Sequence, residues 1–252
     1  MITAAIVAAI AVSALVTDPV RRGVSLCVPG GNGVAPEVRY ETLRQRVARA
    51  MGKSIRLHVR PGAPGDDCDL VVLSVHEWRA LPPGEALEPV AEVEGARGAV
   101  VIAGAEGPRE LDRLTAGTML FTAPHSLNGC WIQLAMLRRK GIPTPDRIEA
   151  LRFAPAPGRA ERVVFEVALG RAPAGAVPVD VLDGMLADGR LMEGEVQVIE
   201  VSPGAPEVLL CQRSGSGTAG DGLVREGLRP VTHADLERVE ELFRMAASMG
   251  WE

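Results

Sequence analysis

Short apolar runs separated by helical patterns constrain this chain more than any other feature. Val24–Val28 and Leu70–Val75 are apolar at almost every position, as strands buried on both faces are. Val100–Ala103 and Thr118–Ala123 repeat the pattern, whereas Ile55, Leu57 and Val59 alternate with polar residues. Between the first strands, Val38, Leu43, Val47, Ala50 and Met51 follow helical spacing, and Gly52 closes that helix. A short helix is expected after Glu77 and another at Leu111–Ala116. Val90–Val93, Ala176–Val179, Val196–Val201 and Val208–Cys211 read as further strands. Val163–Leu169 and Val181–Ala187 read as helices. His233–Met249 is a terminal helix with Thr232 as its cap and Leu236, Val239, Leu242, Phe243 and Met245 as its buried stripe. Strands alternating with helices in this way specify an α/β fold with a mostly parallel sheet.

The run Thr118–Ala123 empties into a polar turn, Pro124–Gly129, and an amphipathic helix pattern then continues to Lys140, where Gly141 stops it. A strand that ends in a Ser/Asn/Gly turn at a helix start makes a small anion site. Free backbone N–H groups and the positive end of the helix dipole point at the turn. Ser126 and Asn128 add side-chain donors, and no catalytic group stands beside them. The turn therefore reads as a binding site before it reads as a reaction centre.

The order strand, Ser126-Leu127-Asn128-Gly129 turn, helix ending at Gly141-Ile142, then Val163, Val167, Gly170 and Gly175-Ala176-Val177 resembles the type 2 periplasmic solute-binding proteins. Within them it is similar to the phosphate/phosphite/phosphonate-binding receptors of ABC transporters. The resemblance covers most of the chain after Arg22. It implies a two-lobed α/β fold, each lobe a mixed, mostly parallel sheet flanked by helices. It also implies that the chain crosses between lobes and returns, with residues 22–96 plus 192–252 in lobe 1 and residues 97–191 in lobe 2. The implied partners are a small anionic molecule and an ABC permease. The protein is expected to act as a monomer, without a cofactor, and to meet the membrane only through the transporter or an uncleaved N-terminus.

Composition sets limits on other classes. An apolar content of 47% makes the chain globular rather than disordered. A net charge of −5 argues against a non-specific nucleic-acid binder. Met1–Val16 carries no charged side chain and has the length of a signal-peptide core, so residues 1–21 are a candidate signal segment. No Lys or Arg precedes it and Arg21-Arg22 follow it, which is a poor arrangement for export. A periplasmic or extracytoplasmic location is the favoured reading; a cytoplasmic one follows if the segment is a buried helix or precedes the true start. Cys27, Cys68, Cys130 and Cys211 form no CxxC pair, so metal ligation is not indicated, and their even number permits disulfides without requiring them. Cys130, in the first turn of a helix, is placed for a lowered thiol pKa.

In the resembling family the ligand lies between the lobes, against loops at strand C-termini. Gly31 and Asn32, in the loop after the first strand, are candidates through their backbone N–H groups. Glu77 and Trp78, after the Leu70–Val75 strand, offer a carboxylate for an amine and a ring for stacking, with His76 beside them able to titrate. His125, Ser126, Asn128 and Gly129 are the strongest set, although Ser126 also reads as a plain helix cap. Near Gly175 the chain departs from the family: Pro173 stands where relatives carry an acidic residue, so no carboxylate there can read an ammonium group, and Asp180 and Asp183 come slightly later. No catalytic residue and no metal ligand is assigned. Adjacent His125 and Ser126 do not make a triad, and Gly215–Gly220 lacks the Lys of a phosphate loop. The alternatives are an enzyme of the same fold, of the menaquinone-biosynthesis type, and an orphan sensory binding module.

Overall fold

The computed structural model describes residues 23–30, 36–60, 65, 67–82, 84–85, 87–95, 97–155, 159–214 and 220–250. The apolar start of the chain, Gly31 and Asn32, and most of the glycine-rich stretch after Ser214 lie outside the described residues.

The first part of the chain runs β1 (Val24–Pro29), α1 (Pro36–Arg39), α2 (Glu41–Met51), β2 (Ile55–Arg60), β3 (Leu70–Ser74), α3 (Val75–Arg79) and β4 (Leu87–Gly95). It continues with β5 (Gly98–Gly104), β6 (Leu120–Phe121), α4 (Ile132–Arg139), β7 (Arg152–Phe153), α5 (Arg159–Ala168), β8 (Ala174–Pro178), α6 (Val179–Ala187) and β9 (Val196–Pro203). The last part is β10 (Pro206–Arg213), α7 (Gly220–Arg225), β11 (Arg229–Pro230) and α8 (His233–Ser248).

Two mixed sheets result, the first in the order β11-β4-β10-β3-β1-β2 and the second in the order β7-β6-β8-β5-β9. In the first, β1 lies parallel to β2 and β3, and β10 enters antiparallel between β3 and β4. In the second, β6 is parallel to β7 and β8 while β5 is antiparallel to β8 and β9. This is the two-lobed α/β arrangement. The strand Val196–Pro203 hydrogen-bonds along β5, so the second sheet includes it. Its alternating sequence identifies a strand but not which sheet accepts it.

The chain passes between the sheets twice, from β4 to β5 and from β9 to β10, and the two crossings lie side by side. Gly95 faces Pro206 in the first sheet, and Gly98 faces Pro203 in the second. Arg97, inside the first crossing, is fixed to α6 by bonds to Asp180 (2.6 Å from Nε) and Asp183 (2.9 Å).

Strand alternation divides the core. Leu26, Leu70 and Val72 face α2 and α7, with Leu43, Val47 and Leu223. Val100, Ile102 and Val177 face α5 and α6, with Val163, Val167 and Met185. The opposite faces of both sheets contribute to one shared cluster, which holds Cys27, Val71 and Leu73 from the first and Val101, Phe121 and Ala176 from the second. Helix α8 buries Val239, Leu242 and Phe243 in that cluster, so it packs against both lobes and not on the first alone. Its start is set by a capping box: Thr232 Oγ1 accepts from Asp235 N at 3.2 Å, and Asp235 Oδ2 accepts from Thr232 N at 2.9 Å.

Cys27 and Cys68 form a disulfide that joins β1 to the approach to β3, with their Cα atoms 5.8 Å apart. Cys130 and Cys211 are buried free thiols. The helix position of Cys130 does not lower its pKa; burial pushes the thiol up, because a thiolate there would be cut off from solvent.

Candidate functional site

The turn before α4 is built from β6 outward. The apolar run Thr118–Ala123 gives a strand only at Leu120–Phe121. Thr122 then turns away, its hydroxyl donating to Ala176 O at 3.1 Å. Gly129 approaches so closely that an added Cβ would lie 2.5 Å from Thr122 Oγ1. A wide π-helical turn, Leu127–Trp131, follows, with Trp131 N donating to Ser126 O at 3.2 Å. Such turns hold one more residue than an α-turn and are frequent at functional sites. Ser126 is the cap: its Oγ accepts from Gly129 N at 2.9 Å. The buried Trp131 braces the turn, its indole donating to Pro124 O at 2.7 Å.

A carboxylate occupies the turn, and it belongs to the chain itself. Glu207 Oε1 accepts from Asn128 N at 2.8 Å, from Ser126 Oγ at 2.9 Å and from Asn128 Nδ2 at 3.2 Å. Glu207 stands at the start of β10, in the first sheet, while the turn belongs to the second. The fully buried Asn128 side chain also makes a reciprocal pair with the second crossing, donating to Ala205 O at 2.7 Å and accepting from Ala205 N at 2.9 Å. Ser126 Oγ, Asn128 N and Asn128 Nδ2 converge on one carboxylate oxygen, while Gly129 N is used by Ser126 Oγ. The acidic residue that meets them lies 81 positions from Ser126, and nothing local in Pro206-Glu207-Val208 marks it.

The segment after β3 reaches the same place. His76 Nε2 lies 2.9 Å from His125 O. The His76 ring packs edge-on against Trp131 and Phe243, at centroid distances of 5.1 and 4.9 Å. Burial lowers the His76 pKa, opposed by its hydrogen bond to the His125 carbonyl. The His125 ring is exposed, so this residue contributes its carbonyl to the junction. Glu77 is drawn into a capping box with Ser74, accepting from Ser74 N at 2.8 Å. Trp78 is half-buried against the shared core and donates to Leu87 O at 3.4 Å. His125, Ser126, Asn128 and Gly129 thus form one constellation with His76 and Glu207, Glu77 and Trp78 hold α3 in place beside it, and Gly31 and Asn32 lie outside the described residues.

A cavity of about 570 Å³ lies elsewhere, between α4, α8 and the end of β9, lined by Arg138, Arg139 and Arg238 over Ile132 and Met245. Neither Ser126 nor Glu207 lines it. Among the described residues no group of three or more His, Cys, Asp or Glu is placed to hold a metal ion, and no helix is long and apolar enough to cross a membrane.

Residues 66–228 match the family described as ABC transporter, phosphonate, periplasmic substrate-binding protein. No curated protein matches the chain in sequence. Solved structures with a similar fold include PhnD1 from Prochlorococcus marinus in complex with methylphosphonate, at 10% identity and a TM-score of 0.57, covering 90% of this chain and 99% of that one. A binding-protein component of an ABC phosphonate transporter from Pseudomonas aeruginosa is similar at 13% identity and a TM-score of 0.52, covering 90% and 87%. A TctC solute-binding protein from Polaromonas is similar at 12% identity and a TM-score of 0.58, covering 93% and 99%.

Proposed function

We propose, for a chain that belongs to the phosphonate family of ABC-transporter periplasmic substrate-binding proteins, that it captures a small phosphonate- or phosphate-like anion between its lobes and presents it to an ABC permease. The family is one of binding proteins, not enzymes. The observation that carries the ligand class is the Ser126–Gly129 turn, where a hydroxyl, a backbone N–H and an amide already converge on one carboxylate oxygen. Those O–H and N–H groups are aimed at an oxyanion. The Cys27–Cys68 disulfide supports a location outside the cytoplasm, since disulfides persist in oxidising compartments. Pro173 leaves no carboxylate before Gly175 for an ammonium group.

A thermal-shift screen of phosphate, phosphite, alkylphosphonates, sulfonates and small carboxylates, with cationic and apolar compounds as controls, tests this reading. Stabilisation confined to oxyanions is expected. A best ligand that is cationic or apolar would refute it.

A further inference from the structure

Glu207 occupies the position that an anionic ligand would take, and it satisfies the same donors. All three of those donors are neutral, so the turn provides dipoles aimed at a single oxygen, and among the described residues no Lys or Arg is paired with Glu207. Glu207 is itself only partly buried, and it reaches the turn from the other sheet through its flexible side chain. Beside it the crossing is also held by the reciprocal pair between Ala205 and the same Asn128 amide that reaches Glu207, and that pair does not need the carboxylate. Loss of the Glu207 contact therefore vacates the turn without dismantling its support.

We infer that Glu207 is a tethered competitor for the ligand: its carboxylate fills the anion turn when no ligand is present and must be displaced for an anion to bind. This rests on the reading of that turn as the ligand's. A tethered group competes at every ligand concentration, and apparent affinity falls by the fraction of molecules in which the turn is free. A turn free one time in ten weakens apparent binding about tenfold. Only ligands that hydrogen-bond those donors better than a carboxylate does are then retained. Glu207 thus sets a threshold that favours oxyanions with several anionic oxygens over monocarboxylates.

Competition has a signature that a merely structural contact lacks. Ser126 Oγ donates to Glu207 in the free protein and, in this account, to the ligand in the bound one. Ser126→Ala removes a bond from both states, so its effect on apparent affinity largely cancels while Glu207 is present. Without Glu207 the cancellation disappears, and loss of a hydrogen bond to a charged group then costs about tenfold or more.

The experiment is isothermal titration of methylphosphonate and inorganic phosphate into the wild type, Glu207→Ala, Glu207→Gln, Ser126→Ala and the Ser126→Ala/Glu207→Ala double variant. Glu207→Ala should bind at least one of the two anions about tenfold more tightly than the wild type. Glu207→Gln, which keeps an acceptor oxygen without the charge, should fall between them, and it decides the question if the alanine variant does not fold. Ser126→Ala should cost about tenfold in the Glu207→Ala background and less than about threefold in the wild-type background. Wild-type binding with no gain in either Glu207 variant, or an equal Ser126→Ala cost in both backgrounds, overturns the competitor while leaving the ligand class intact. Binding of neither anion to any variant overturns both.

Discussion

Removing the Cys27–Cys68 disulfide should destabilise the first lobe by an amount set by the chain it closes. The bridged residues are 41 positions apart, and the intervening segment contains α2 and β2. Closing a loop of that length removes about 13 cal/mol/K of entropy from the unfolded chain, or about 4 kcal/mol at 25 °C. For a chain of this size each kcal/mol moves the melting temperature about 2–4 °C, so the expected drop is about 8–16 °C. Both sulfurs are buried, and Cys27→Ala/Cys68→Ala is therefore a cleaner perturbation than partial reduction. Circular-dichroism melting of the wild type and the double variant reads the shift. Thiol titration in denaturant gives the second readout: two free thiols without reductant, from Cys130 and Cys211, and four with it. A melting point within about 2 °C of the wild type, at most about 1 kcal/mol on the same scale, would refute the reasoning, as would four titratable thiols in unreduced protein.

Gly129→Ala should destabilise by about 1–3 kcal/mol and abolish anion binding, because the new methyl meets Thr122 at 2.5 Å; urea unfolding and titration check the two effects. His76 has a folded pKa below its ordinary value because it is buried. Its contribution to stability is therefore present above the unfolded pKa of about 6.5 and is lost as pH falls toward the folded one. The wild-type melting temperature should consequently drop more between pH 7.5 and 5.5 than that of His76→Gln, and equal drops would contradict the assignment. Burial pushes the Cys211 thiol up to about 12 and raises Cys130 as well, so neither should react with a thiol reagent until the protein unfolds. Protein from the native host should fractionate outside the cytoplasm with Cys27 and Cys68 oxidised; a reduced cytoplasmic form would contradict the proposed location.

Much of this architecture is legible in single segments. Leu70–Val75 is apolar enough to be buried on both faces and forms β3 as far as Ser74, and the Thr232 cap places the start of α8. Ser126 is visible as both a cap and an anion donor; in the structure it caps Gly129 N and donates to the chain's own Glu207. What is hidden depends on contacts distant in sequence. The alternation in Val196–Pro203 is the same whichever sheet receives it, and only pairing with β5 decides. Helix α8 shows a single buried stripe, yet that stripe touches both lobes because Phe243 lies between His76 and Trp131. The disulfide partner of Cys27 follows from the parallel placement of β1 and β3. Glu207 carries no local mark at all; its role arises from the second crossing, which sets the start of β10 opposite the turn.

The ligand account is tested most directly by a crystal structure of the protein grown with methylphosphonate. The account predicts phosphonyl oxygens within hydrogen-bond distance of Ser126 Oγ and Asn128 N, with the Glu207 carboxylate displaced from the turn. Methylphosphonate bound elsewhere, such as between Arg138 and Arg238, with Glu207 still seated on Ser126 and Asn128, would contradict it.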